Sequence, residues 1–114
     1  MEQDFVKEER YVEYRRAGHF PISYRSDPSA SLLRRYPHAV RFPRYTTKDN
    51  TDPRKRWLYD TQPASRWCTL DVEQRITINR DGQLYETRMT LREYRFVFEA
   101  DALLFQLRWM NQND

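Results

Sequence analysis

The chain has 114 residues, carries a formal net charge of +3 and draws 15% of its residues from Phe, Trp and Tyr. That length suits one domain with one modest core, and with glycine only at Gly18 and Gly82 neither a G-x-G-x-x-G turn nor a Walker loop can be written. No stretch approaches the roughly 20 apolar residues that a membrane helix requires, so no membrane insertion is expected.

The segment Met1 to Val12 is acidic and polar, with neither the charge pattern nor the apolar run of a secretory signal. The single cysteine, Cys68, cannot form an internal disulfide. Both features point to an intracellular location, in the cytoplasm or inside a virion or organellar assembly, rather than to secretion. Charge is then distributed unevenly. Up to Ser29 there are five basic and six acidic residues; from Ala30 to Cys68 there are nine basic and three acidic; from Thr69 onward there are six basic and eight acidic. The basic middle third also holds most of the six prolines, which run from Pro21 to Pro63 and leave little room for uninterrupted helix or central strand.

One short helix fits over 28–36. Asp27 can cap it, Pro28 suits its first position, Pro37 stops it, and Leu32, Leu33 and Tyr36 form its apolar stripe. Ala39 to Ala64 reads as an extended arm, too long for an ordinary loop and too aromatic for permanent disorder. Residues 1–68 are thus expected to form an N-terminal and central arm ordered against partners, and residues 69–110 an antiparallel β core, within a single domain.

In that core, Thr69 to Asn79 alternates with a period of two. Leu70, Val72, Ile76 and Ile78 share one face, and Asp71, Glu73, Arg75 and Thr77 share the other, as on a half-buried strand with one solvated side. Asp81-Gly82 marks a hairpin turn. The return strand runs from Leu84 to Leu91 with Tyr85, Met89 and Leu91 on one side. A further run, Tyr94 to Phe98, places its aromatics at the opposite parity, which predicts a bulge near Arg92-Glu93. Leu103 to Met110 supports two readings. As a strand it buries Leu103, Phe105, Leu107 and Trp109; as a helix it aligns Ala100, Leu103, Leu104 and Leu107, with acids before it and Arg108 late. Continuity with the meander favours the strand. The fold class expected is mainly β, with α+β as the alternative.

Little in the sequence suggests chemistry. Catalysis needs a positioned nucleophile or proton-transfer group, and the candidates are His19, His38 and Cys68, which nothing in the sequence draws together. Those same three residues fall short of the four ligands of a structural zinc site. The acid pairs Asp71/Glu73 and Glu99/Asp101 resemble ordinary surface patterns more than the paired carboxylates of a glycosidase or a hard-metal site. A non-enzymatic protein with no cofactor and no metal is expected.

What remains is a basic, aromatic stretch: Arg34, Arg35, Arg41, Phe42, Arg44, Tyr45, Arg54, Lys55, Arg56, Trp57, Tyr59, Arg66 and Trp67. These residue types can dock on other protein subunits or on further copies of the chain, aromatics as anchors and arginines as bidentate partners for carboxylates. They can also hold single-stranded nucleic acid, but near-parity of charge elsewhere makes that the second choice. The leading expectation is a small structural or accessory subunit of a larger assembly. A nucleic-acid binder and a small inhibitor of a host enzyme, of the kind phages carry, are the alternatives.

Overall fold

The Asp81-Gly82 pair organises the sheet. Both residues have positive φ, 52° and 81°, the geometry a two-residue hairpin turn demands and one that Gly and Asp tolerate best. The turn joins two 14-residue strands, which in the computed structural model pair without interruption from Trp67↔Phe96 to Arg80↔Gln83. The structure describes residues 4–16, 22–23, 29–44 and 52–110.

In chain order the elements are β1 (Asp4–Arg16), β2 (Ile22–Ser23), α1 (Ala30–Arg35), β3 (His38–Pro43), α2 (Pro53–Thr61), a 3-10 turn (Ala64–Arg66), β4 (Trp67–Arg80), β5 (Gln83–Phe96) and α3 (Glu99–Trp109). The strands form one antiparallel sheet in the order β2-β1-β4-β5-β3. The mainly-β, antiparallel class expected from sequence is the class observed.

The arm is where expectation and structure part. β1 lies along almost the whole of β4, from Asp4↔Asn79 to Arg16↔Cys68, with a bulge between Tyr11 and Glu13. β3 lies along β5, with Pro43 ending an edge strand, where a missing backbone donor is tolerated. Arg54 to Thr61, expected to be extended, belongs to α2. Its start is set by Asp52, whose side chain accepts from the amides of Arg54 and Lys55, and by Pro53 in the first turn. So residues 1–68 supply three strands of the sheet and two short helices. The short helix α1 is confirmed within narrower bounds than 28–36. Its cap is Ser29, whose hydroxyl accepts from the Leu32 amide at 3.2 Å; Asp27 and Pro28 lie outside the described residues.

Two clusters make the core, one on each face of the sheet at the end where β4 begins. On one face Trp67, Tyr94 and Phe96 pack with Leu58 of α2 and with Ala102, Phe105 and Trp109 of α3, flanked by Val40, Phe42 and Trp57. Phe105 is the hub, its ring 4.7 to 6.1 Å from those of Tyr94, Phe96, Phe42 and Trp57. On the other face Tyr36, Cys68 and Leu70 are buried together beside Tyr11, Leu32 and Val97. Cys68 is buried within this second cluster.

Covering both faces at one end corrects two further readings. The alternation in β4 holds, but burial follows position along the strand. Leu70 and Val72 are fully buried while Ile76 and Ile78 are half-buried, and Asp71, expected on a solvated side, is buried. In β5 no bulge interrupts the pairing at Arg92-Glu93. The apolar parity changes there because the covered face changes: Tyr94 and Phe96 meet α3, whereas Leu91 and Met89 lie on the opposite side. Residues 81–89 at the hairpin end are all exposed.

The strand expected over Leu103 to Met110 is instead the helix α3, with Glu99 and Asp101 in its first turn and Arg108 in its last, matching the helix dipole. Ala102, Phe105 and Trp109 face the sheet with helical spacing. The apparent alternation arose because this helix is apolar on two opposite sides.

Candidate functional site

Two buried charge networks lie at the parity switch, one on each face of β5. On the α2/α3 face, Arg92 donates from Nε to Asp71 at 2.9 Å and from Nη1 to Asp52 at 3.0 Å, and the Tyr94 hydroxyl also donates to Asp52. Arg44 stands 3.5 Å from Asp71. The residue that caps α2 is thereby tied to the middle of the sheet. On the opposite face Glu93, 1% exposed, accepts from Arg41 at 2.7 Å, from Arg95 and from the Tyr11 hydroxyl. Arg41 continues to Glu9 at 2.8 Å, so β3 is bridged to β1 across the two strands between them. Gln74 donates to the same Glu9 carboxylate.

These networks shift the groups within them. Burial, reinforced by the Asp52 carboxylate, pushes the Tyr94 phenol well above the ordinary tyrosine range, and burial with Glu93 nearby raises Tyr11. Hydrogen bonding from Arg41 lowers Glu9. Burial disfavours the charged form of Arg92, but its bonds to Asp71 and Asp52 outweigh that and raise it further. A tyrosine whose folded-state value is raised contributes stability that is complete below its unfolded value, near pH 10, and is lost as pH rises through the folded value. In an alkaline titration followed by tyrosinate absorbance, Tyr11 and Tyr94 are therefore expected to ionise above the ordinary tyrosine range and together with unfolding. Ionisation of all eight tyrosines in one ordinary step near pH 10, with the fold intact, would contradict this.

The networks also account for much of the basic, aromatic stretch. Arg41 and Arg44 pair with carboxylates of the sheet. The Arg54 guanidinium lies 4.2 Å from the centre of the Phe42 ring and donates to the Pro43 carbonyl. Trp67 is buried, Phe42 and Trp57 are half-buried in the same cluster, and exposed Tyr59 stands edge-on to Trp67. Arg66 lies over the exposed Phe98 ring. Arg34 and Arg35 project from α1 and Arg56 from α2, all exposed, while Lys55 is half-buried; Tyr45 lies outside the described residues. The expected docking residues are thus not gathered on one surface. Most of the aromatics among them serve the core.

The candidate chemical groups are likewise separated. Cys68 and His38 belong to opposite faces of the sheet, since Cys68 opposes Arg95 and His38 opposes Phe96; His19 lies outside the described residues. Asp71 and Glu73 pair with Arg92 and Arg10 respectively. Among the described residues no group of three or more His, Cys, Asp or Glu side chains is placed to hold a metal ion, and no helix is long and apolar enough to cross a membrane. An open concavity on the sheet is lined by Glu8, Glu9, Arg10, Glu73, Arg75 and Arg88. Its charges balance and are largely paired with one another, Arg10 with Glu73 and Arg75 with Glu8.

The surface that stands out is the outer side of α3. Leu103, Leu104 and Leu107 are 51%, 52% and 66% exposed, opposite the buried Ala102, Phe105 and Trp109, and exposed Phe98 and Met110 flank the helix. With Ala100 the leucines recur at i, i+3, i+4 and i+7, the apolar stripe of a helix that packs on something. Protein-family models, curated proteins and solved structures contain no match to this chain. The stripe was visible in the sequence as the helical reading of this segment. That a second apolar set on the same helix would take the core side was not, because two opposite faces cannot be ranked by pattern alone. Leu84, Tyr85 and Met89 form a second exposed apolar group at the hairpin end, but Leu84 lies on the opposite side of the strand from the other two.

Proposed function

We infer that this protein is a docking module without chemistry of its own, a small structural or accessory subunit whose contact surface is the outer face of α3. One observation carries the reading. The helix already has a complete inward face, yet a second stripe of three leucines stays in water. Burying a leucine is worth roughly 1.5–3 kcal/mol, so a partner covering this stripe gains binding energy with no rearrangement of the domain. Contiguous exposed apolar surface of this kind marks interaction sites. Arg41 and Arg44 pair with carboxylates, and Arg54 and Arg66 lie over aromatic rings. Of the described central arginines chiefly Arg34, Arg35 and Arg56 therefore face solvent, which favours this reading over nucleic-acid binding through a continuous basic surface. A role as an inhibitor would use the same face.

The test is co-purification of tagged chain from its native source, with untagged copies of the chain counted among the products. The variant Leu104→Glu/Leu107→Glu should lose the co-eluting proteins while keeping the circular dichroism and thermal midpoint of the parent. An unchanged set of co-eluting proteins, or their loss through Arg34→Glu/Arg35→Glu instead, would move the contact surface away from α3.

A further inference from the structure

The charges along α3 say what its outer face fits. Asp101 and Arg108 are seven residues apart and so lie on the same flank of the leucine stripe, near opposite ends of the helix; Glu99 and Gln106 hold the same relation on the other flank. When two identical helices pack antiparallel about a two-fold axis, each flank faces its own counterpart with the direction reversed. Asp101 then lies beside Arg108 of the second copy, and Glu99 beside Gln106, and each relation occurs twice. A parallel pair would instead set Asp101 against Glu99 and bring two acidic first turns together. The macrodipoles also oppose one another only in the antiparallel arrangement.

Resting on the docking reading above, we propose that the occupant of the α3 face is a second copy of this chain, in an isologous antiparallel α3–α3 pair with Leu104 at the two-fold axis. A two-fold pair is the commonest form of homo-oligomer, and its patch must complement itself. This one does so in polarity and in charge. Centring the pair on Leu104 also brings Phe98, just before the helix, beside Met110 of the second copy, just after it. Both are exposed in the lone chain, and an aromatic ring against a thioether is a favourable contact. A helix of 11 residues spans only about 16 Å, so the interface is at the small end and a dissociation constant of roughly micromolar order is expected.

Sedimentation equilibrium of the purified full chain across that concentration range tests the pair. The parent should dimerise, and Leu104→Glu should be monomeric with unchanged circular dichroism. Asp101→Arg and Arg108→Asp should each weaken the dimer about tenfold or more. The double variant Asp101→Arg/Arg108→Asp should return most of that loss, because the reversed charges meet again across the axis. A folded parent that remains monomeric at about 1 mM would overturn the proposal, as would a dimer indifferent to Leu104→Glu. Single reversals that tighten the dimer would overturn the antiparallel arrangement. If the chain is monomeric but a different protein co-elutes and is lost on Leu104→Glu/Leu107→Glu, self-pairing fails while the docking reading stands.

Discussion

Replacing Phe105 by alanine is expected to destabilise the protein by about 3–5 kcal/mol, the usual cost of deleting a buried aromatic. Replacing its neighbour Leu104 by alanine should change stability by less than about 0.5 kcal/mol. Phe105 is fully buried and its ring meets four other aromatic rings from β3, α2 and β5. Its removal leaves a cavity where three elements join, and those rings are held by separate backbones and cannot all collapse into it. Leu104 is half exposed on the opposite side of the helix. Urea unfolding of dilute samples of the two variants, below any self-association, measures both values. The comparison also tests the helix itself. On a strand, Leu103, Phe105 and Leu107 would share one face, and alanine at each would cost several kcal/mol. On this helix Phe105 alone of the three should do so, and equal losses would mean that the segment is extended.

How legible such features are in sequence depends on whether the signal is local. The β4–β5 hairpin is legible because turn and alternation are both local, and Asp81-Gly82 fixes the register by itself. β1 is not. Its apolar residues Phe5, Val6, Tyr11, Val12 and Tyr14 follow no single parity, a bulge interrupts the strand after Tyr11, and the strand is held by a partner more than fifty residues away. α2 carries in Asp52-Pro53 the same cap-and-proline signal that identifies the first short helix at Asp27-Pro28, but the density of prolines around it argues for an extended chain. For α1 that signal placed the helix correctly but named the wrong cap, since Ser29 performs the role. The central aromatics were legible as residues that water should not cover. What covers Phe42 and Trp57 is α3, distant in sequence and itself ambiguous, so they read as anchors for a partner when they belong to the core. The same ambiguity hid the candidate site. Only when Phe105 and Trp109 are seen to face the sheet does the leucine stripe become the exposed side.

The second large effect is expected at Arg92. Its guanidinium is the principal cation between two buried carboxylates, Asp71 and Asp52, with Arg44 farther off and more exposed. The substitution Arg92→Met keeps most of the side-chain volume and removes the charge, leaving both acids buried and poorly paired. Breaking a buried pair from one side costs about 3–5 kcal/mol, because the abandoned charge keeps its desolvation penalty and loses its compensation. A local consequence should follow, since Asp52 also caps α2 and accepts the Tyr94 hydroxyl. If Asp52 turns toward water to be solvated, the amides of Arg54 and Lys55 lose their acceptor, and amide exchange in the first turn of α2 should accelerate ahead of that in β4. Asp52→Asn separates the two roles. It retains a capping oxygen while discarding the charge, so it should cost less than Asp52→Ala, which adds about 0.5–2 kcal/mol for the lost cap. Denaturant unfolding of the three variants should therefore rank Arg92→Met as the most damaging, then Asp52→Ala, then Asp52→Asn. If Arg92→Met unfolded within about 0.5 kcal/mol of the parent, the two aspartates would have to be reaching water already, and the tie between α2 and the sheet would rest on the packing of Leu58, Trp57 and Tyr59 and on the Arg54 contacts with β3.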